Sequence, residues 1–99
     1  MRVEFEAEMY RWAARVDADW FFAALPEHLS AEVRELQGAP RRGFGAVRVQ
    51  ATVGSSTWRT SIFPGGDGVY VLPLKRSVRE AEHLRDGGPV RVSLEVAAG

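Results

Sequence analysis

Apolar and polar residues alternate with a period of two along three segments of the chain. In residues 3–9, 47–53 and 90–96, every second residue is apolar, and most of the residues between are charged or polar. Because successive side chains of a β-strand point to opposite faces, this pattern predicts three strands that are each buried on one face. Three shorter stretches rich in apolar or β-branched residues, at 20–24, 57–63 and 69–72, bring the prediction to about six strands.

Two short helices are predicted between the strands. The first is expected to start near Ser30 and to end at Gly38. In the second, Ser77 and Glu80 have the spacing of a capping box, and Gly87 is expected to stop the helix. Each helix is too short to be stable without the sheet.

A strand-helix-strand unit occurs twice in the chain. Leu25-Pro26 aligns with Leu72-Pro73, and Val33-Arg34-Glu35 aligns with Val78-Arg79-Glu80. Neither unit can bury its apolar face alone, so the two must pack on each other. The expected fold is mainly β, a small pseudo-two-fold, double-split-like β-barrel with two short capping helices. Because the chain itself supplies both halves, we expect a monomer.

Length and composition narrow the possible classes of protein. A chain of 99 residues has the size of one small domain, so we expect residues 1–96 to form a single barrel and residues 97–99 to be a loose tail. The 13 basic and 13 acidic residues cancel, which argues against general binding to nucleic acid. Cysteine chemistry is excluded because the sequence has no cysteine. We find no signal peptide and no membrane-spanning run, so we expect a cytoplasmic protein without a membrane partner.

Two known families share motifs with the sequence. The motif Leu72-Pro73, Val78-Arg79-Glu80, Gly87 and Val90-x-Val92 resembles the swapped-hairpin unit of AbrB/MazE-like transcription factors, whose dimers make a double-split β-barrel. A longer set of motifs covers nearly the whole chain: Phe5, Trp20-Phe21-Phe22, Leu25-Pro26, Arg34, Gly43-Phe44-Gly45, Trp58, Thr60-Ser61-Ile62-Phe63-Pro64, Tyr70, Leu72-Pro73-Leu74-Lys75 and Val78-Arg79. It is similar to the bacterial family DUF1905, a domain of unknown function sometimes joined to a YdeI/OmpD-associated type of domain. Gly87-Gly88-Pro89 departs from that family, which tends to have Gly-Asp there. The resemblance implies a pseudo-barrel and brings no established activity.

A small-molecule site is one functional hypothesis. Aromatic rings and hydroxyl groups on the strand from Trp58 to Ser61 are suited to bury and orient a ligand. Arg34 and Arg79, which the repeat places at matching positions, are suited to a carboxylate or phosphate. The competing interpretation, which we favour, is that Trp58 packs in the core and that each arginine ties its helix to neighbouring groups. The residues of the hypothetical site are Trp20, Arg34, Trp58, Ser61, Tyr70 and Arg79.

A DNA-binding or regulatory role of the AbrB type is the alternative. Arg41 and Arg42 begin a basic, glycine-containing loop, and Lys75 precedes the second helix. Because the charges of the chain balance, we do not expect nucleic acid to be the partner.

The sequence contains no recognisable catalytic set. Ser61 has no adjacent base and no nucleophile elbow, and His28 and His83 lack the paired spacing of metal ligands. We therefore expect a non-enzymatic binding or interaction module without metal or cofactor, whose partner is a small molecule or a protein. An enzyme of unknown type is the weaker alternative.

Overall fold

The computed structural model describes residues 1–12, 20–38 and 45–97. These residues form a mainly β protein, with seven antiparallel strands in a nearly closed barrel and two short helices. In chain order the elements are β1 (Arg2–Glu8), β2 (Tyr10–Arg11), β3 (Phe21–Ala24), α1 (Glu27–Gln37), β4 (Val47–Val53), β5 (Ser56–Pro64), β6 (Tyr70–Pro73), α2 (Arg76–Ala81) and β7 (Pro89–Val96). None of the helices in these ranges is long and apolar enough to cross a membrane.

Met9, near the amino end, connects the two end strands of the sheet, which brings the barrel close to closure. The strand order is β1-β7-β4-β5-β6-β3-β2, so its two ends, β1 and β2, are separated in sequence by Met9 alone. Met9 is buried, its N–H donates to the Gly88 carbonyl at 2.8 Å, and its own carbonyl accepts from the Gly87 N–H at 2.7 Å. The chain thus leaves β7 at this residue and pairs next with β3. The prediction of about six strands missed only β2, because two residues are too few to show a period.

The pseudo-two-fold symmetry predicted from the repeat is confirmed, with a different alignment. β3 and β6 pair about Ala23 and Leu72, and β4 pairs with β7. The N–H of Leu25 donates to the Tyr70 carbonyl and that of Leu74 to the Phe21 carbonyl, both at 2.9 Å.

The structure equates Leu25 with Leu74 rather than with Leu72. The same offset relates Glu27 and Arg76, where the two helices begin. The sequence alignment matched two Leu-Pro pairs, but Pro26 lies at a helix N-cap whereas Pro73 ends a strand. The matched prolines therefore have different structural roles, and the alignment of the two Leu-Pro pairs is wrong by two residues.

α1 begins earlier than predicted and ends where predicted. It starts at Glu27, so Ser30 lies inside the helix instead of capping it. Ser30 is only 1% exposed, and its Oγ accepts a hydrogen bond from the Tyr70 N–H at 3.0 Å. Gly38, with φ of 76°, supplies the left-handed residue that ends the helix.

The capping box and the stop predicted for α2 are wrong. The Leu74 N–H belongs to the strand ladder, so the chain enters the helix directly afterwards, with Lys75 at the N-cap and no side-chain cap. Ser77 is exposed, and Glu80 instead accepts from Arg76 Nε at 3.0 Å. The helix ends at Ala81, before Gly87, which lies in the turn that leads to β7.

One continuous core fills the barrel. The period-two strands place their apolar side chains inside, as the pattern predicted, and the first helix adds Val33 and the second Val78. Ala97, which follows β7, donates to the Arg48 carbonyl at 3.1 Å and accepts from Gln37 Nε2 at 3.0 Å. The remaining residues of the predicted tail, Ala98 and Gly99, lie outside the described residues.

Candidate functional site

A groove opens where β5 and β6 separate. β5 pairs with β4 from Ser56 to Ile62 but with β6 only at Phe63 and Pro64. β5 and β6 therefore diverge before Phe63. The space between them has a volume of about 310 Å³ and is also bounded by the start of β3. We call it the groove, and its lining residues are Trp20, Phe21, Trp58, Arg59, Thr60, Pro73, Leu74 and Lys75.

Most of the groove wall is apolar. Trp58 and Leu74 are buried and form its deeper part, and Phe21 and Pro73 are half-buried. Trp20 stands at the rim, 55% exposed. An apolar cleft with a few polar groups at its edge is the usual form of a small-molecule site.

Two cations at the edge of the groove have no acidic partner among the described residues. Arg59 and Lys75 are both exposed, and Gln50, not a glutamate, lies opposite Arg59 across the strand pair. The ion pairs found in the described ranges involve other groups, such as Arg2 with Glu4 and Arg76 with Glu80. Positive charge is therefore available beside an apolar surface.

Arg79 supports the groove wall from behind. Its Nε donates to the Leu74 carbonyl at 3.0 Å, and its guanidinium carbon lies 4.3 Å from the centre of the Phe21 ring. This geometry combines a hydrogen bond with a cation–π contact. It confirms the interpretation that Arg79 ties its helix to neighbouring groups, and it fixes two residues that line the groove.

Arg34 lies elsewhere. Its Nη2 donates to the Gly68 carbonyl, and it borders a separate depression with His28 and Asp67. The offset that relates the two units does not equate Arg34 with Arg79, because it pairs Leu25 with Leu74. The expected matching of the two arginines is therefore wrong, and they do not share one site.

The side chains of Ser61 and Tyr70 also lie away from the groove. Because Trp58 and Ile62 are buried, the strand alternation places Ser61 on the opposite face, and Thr60 supplies the hydroxyl that borders the groove. Tyr70 is buried in the core. Of the six residues in the hypothetical site, Trp20 and Trp58 line the groove and Arg79 braces it.

Trp20 and Lys75 have no counterparts of the same chemical type at the symmetry-related positions. Under the structural offset, the position of Trp20 corresponds to Val69 in the other unit, and that of Lys75 corresponds to Pro26. The two-fold frame is shared, but these features are not. Duplication of a structural element does not account for them.

An exposed aromatic cluster adjoins the groove at Trp20. Tyr10, Trp12 and Trp20 are 37%, 40% and 55% exposed, and Phe22 lies between Tyr10 and Trp20 with ring centroids 6.0 and 6.1 Å away. The ring centroids of Trp12 and Trp20 are 5.9 Å apart, and the backbone N–H of Trp12 donates to the Trp20 carbonyl. Burial and the negative charge of Asp67 raise the pKa of Tyr10. Tyr10 and Trp12 were not among the predicted site residues, because two aromatic residues two positions apart are too few to show a period.

The Glu82 carboxylate has a structural role. The Glu82 carboxylate accepts hydrogen bonds from Ser56 Oγ at 2.6 Å and Ser55 Oγ at 3.2 Å, which ties α2 to the β4–β5 hairpin. The Ser56 hydroxyl, and secondarily Ser55, hold the pKa of Glu82 below its ordinary value. Within the described ranges, no three His, Asp or Glu side chains are placed to hold a metal ion.

The loop proposed for nucleic-acid contact is only partly described. Arg41 and Arg42 lie outside the described residues, and Lys75 lies at the groove. The structure brings Lys75 together with Trp20 and Trp58, a combination that was not predicted from the sequence.

Comparison with known proteins identifies a family. A family model with the description "Domain of unknown function (DUF1905)" matches residues 5–94, a range that contains the whole groove and both units except for the last two residues of β7. A comparison with curated proteins found no match.

Proposed function

The chain belongs to the DUF1905 family, and we propose that it is a non-enzymatic binding module whose groove holds a small amphipathic anion. The observation that carries this proposal is the pair of exposed cations, Arg59 and Lys75, beside the apolar walls of the groove. The apolar part of the ligand lies against Trp20 and Trp58, and its anionic group lies between the two cations.

An anion fits this arrangement better than a neutral ligand. The guanidinium group presents a rigid fork of donors that matches a carboxylate or phosphate, and the lysine adds a second positive charge. Because Arg59 and Lys75 are exposed, an ion pair with either contributes about 0.2–1 kcal/mol, so the two together contribute up to about 2 kcal/mol. A neutral analogue of the same shape keeps the apolar contacts and loses most of this contribution.

A matched pair of probes tests the proposal. We expect 3-phenylpropionate to quench tryptophan fluorescence in a saturable manner. Its amide should bind at least about tenfold more weakly. Replacing both cations, Arg59→Ala with Lys75→Ala, should remove the preference for the carboxylate. Arg91→Ala is the control, because Arg91 is an exposed cation on β7 that does not line the groove.

Two outcomes would contradict the proposal. One is that none of a panel of aromatic and alkyl carboxylates, 3-phenylpropionate included, binds to the protein. The other is that the double variant keeps the full preference for the carboxylate while thermal melting shows it to be folded.

Two further expectations, DNA binding as the alternative function and a monomeric state, have direct tests. The DNA-binding alternative depends on Arg41, Arg42 and Lys75, and a titration with duplex DNA at low salt, repeated on Lys75→Ala, tests it. A monomer remains our expectation, which light scattering tests.

A further inference from the structure

The backbone of β5 has an open edge at the groove. The two-residue turn at Gly54 and Ser55 makes Val53 and Ser56 the closing pair of the β4–β5 hairpin. In such a hairpin the closing pair exchanges both hydrogen bonds, and the backbone groups then face the partner strand at every second residue. The N–H and C=O groups of Arg59 and Ser61 therefore point away from β4, towards the groove.

The pairing with β6 supports this assignment independently. The Gly65 N–H donates to the Val69 carbonyl at 2.8 Å, and Phe63 pairs with Val71. The odd-numbered residues of this region of β5 are thus the ones that face β6. Within the described residues, β6 continues this ladder no further than Phe63 and Pro64, and no other strand pairs with β5 on that side.

The chemistry of the residues that follow Val71 explains why the hydrogen-bonded pairing of β5 with β6 ends at Phe63. In the same register, Ser61 would lie opposite Pro73, which has no N–H to donate. Arg59 would lie opposite Lys75, whose carbonyl accepts the N–H groups of Val78 and Arg79 to begin α2. The chain therefore turns away from β5 where the groove begins, and the edge of β5 is left without a strand.

We propose that this edge binds an extended peptide segment, which adds to β5 as an antiparallel strand in place of the missing continuation of β6. This inference rests on the proposed function, because it names the class of ligand that occupies the same groove. Addition of a strand to an open sheet edge is an established mode of peptide recognition, in which main-chain hydrogen bonds give affinity and side-chain pockets give specificity.

The alternation along β5 specifies the sequence of the peptide. Residues directly opposite each other in a strand pair share a face, so the peptide residue opposite Arg59 lies beside the exposed guanidinium. An acidic residue at that position is favoured by charge. Its two neighbours face the side of Trp58 and Thr60, where the groove is apolar. The preferred segment is therefore apolar-acidic-apolar.

Four peptides and two protein variants test the inference. The parent probe is acetyl-Thr-Val-Glu-Val-Thr-amide, with Kd measured by NMR titration of the labelled protein. N-methylation of its glutamate removes the N–H that would donate to the Arg59 carbonyl and should weaken binding about tenfold. N-methylation of the valine before it, whose N–H points away from β5, is the matched control and should weaken binding much less.

Charge recognition is tested in the same titrations. Replacement of the peptide glutamate by glutamine should weaken binding to the native protein, whereas Arg59→Ala should bind the two peptides equally. Arg91→Ala should keep the native preference. Equal affinity of the two N-methylated peptides would overturn strand addition.

The same samples separate this inference from the proposed function. If 3-phenylpropionate binds in the groove and the parent peptide does not, peptide binding is rejected and the small-anion site stands. If neither the parent peptide nor any member of the carboxylate panel binds, both are rejected.

Discussion

Replacing Ser30 with alanine should destabilise the protein more than its small change in size suggests. The Ser30 hydroxyl is buried inside α1 and accepts the Tyr70 N–H at 3.0 Å, across 40 residues of sequence. In Ser30→Ala the buried Tyr70 N–H loses this partner, and an unsatisfied buried donor costs about 1–3 kcal/mol. For a domain of about 100 residues, each kcal/mol lowers Tm by roughly 4–8 °C, so we expect a decrease of about 5–20 °C.

The matched control is Ser77→Ala. The sequence assigned Ser77 to a capping box, whose loss costs about 1 kcal/mol, but the structure places it exposed inside α2 without a capping hydrogen bond. We therefore expect a change within about 0.5 kcal/mol for this variant. Thermal and urea unfolding of both variants, with amide exchange followed at Tyr70, makes the comparison. A Ser30→Ala protein as stable as the native one, or a Ser77→Ala protein that is the weaker of the two, would refute the reasoning.

Three further predictions concern contacts around the barrel. Gly54→Ala should lower the free energy of unfolding by at least about 1 kcal/mol, because Gly54 has φ of 58° and a Cβ there would overlap the Glu82 carboxylate. The control in urea unfolding is Gly66→Ala, since Gly66 has open space around it. Equal losses of stability in the two variants would contradict the geometry. Because the folded-state pKa of Glu82 is lowered, its contribution is present above the ordinary value of 4.5 and is lost as pH falls through the lowered value. The Tm difference between the native protein and Glu82→Gln should therefore shrink below about pH 4.5, and a difference that grows on acidification would contradict this sign. Arg79→Ala should lower the free energy of unfolding by about 1–2 kcal/mol, and Arg34→Ala should lower it by less, because the Arg79 contact is partly buried and the Arg34 contact is exposed. The reversed order in urea unfolding would show that the two contacts are misassigned.

The strands and the symmetry were predictable because their signal is repeated along the chain. Each period-two segment has several residues that agree on one buried face, and a mistake at one position does not change the result. The two units were visible for the same reason. β2 was missed because a two-residue strand carries no period, and Met9, which turns the chain from β7 to β3, has no local sequence signature.

Helix starts and the internal alignment were less predictable because they depend on single residues in a tertiary context. A serine before an apolar run favours an N-cap, yet both Ser30 and Ser77 lie within helices. The hydrogen bonds of Leu25 and Leu74 within the strand pair determine where each helix begins. No local motif reports such a contact between two distant segments.

The candidate site was only partly predictable. Trp20 and Trp58 were chosen for their aromatic side chains, and the structure brings them into one groove. Arg59 was not chosen, and Lys75 was assigned to nucleic acid, because their roles depend on the separation of β5 and β6. That separation follows from the register of the strand pair and from the missing N–H of Pro73, which is apparent only after the register is known.

The most direct test of the account is an NMR titration of the labelled protein with 3-phenylpropionate, followed at assigned backbone and indole resonances. The account predicts saturable shifts that are largest at the Trp20 indole and at Trp58, Arg59, Thr60 and Lys75. It predicts little change in the separate depression that Arg34 and Gly68 border. Shifts confined to that depression, or no saturable shift at any residue of the groove, would contradict it.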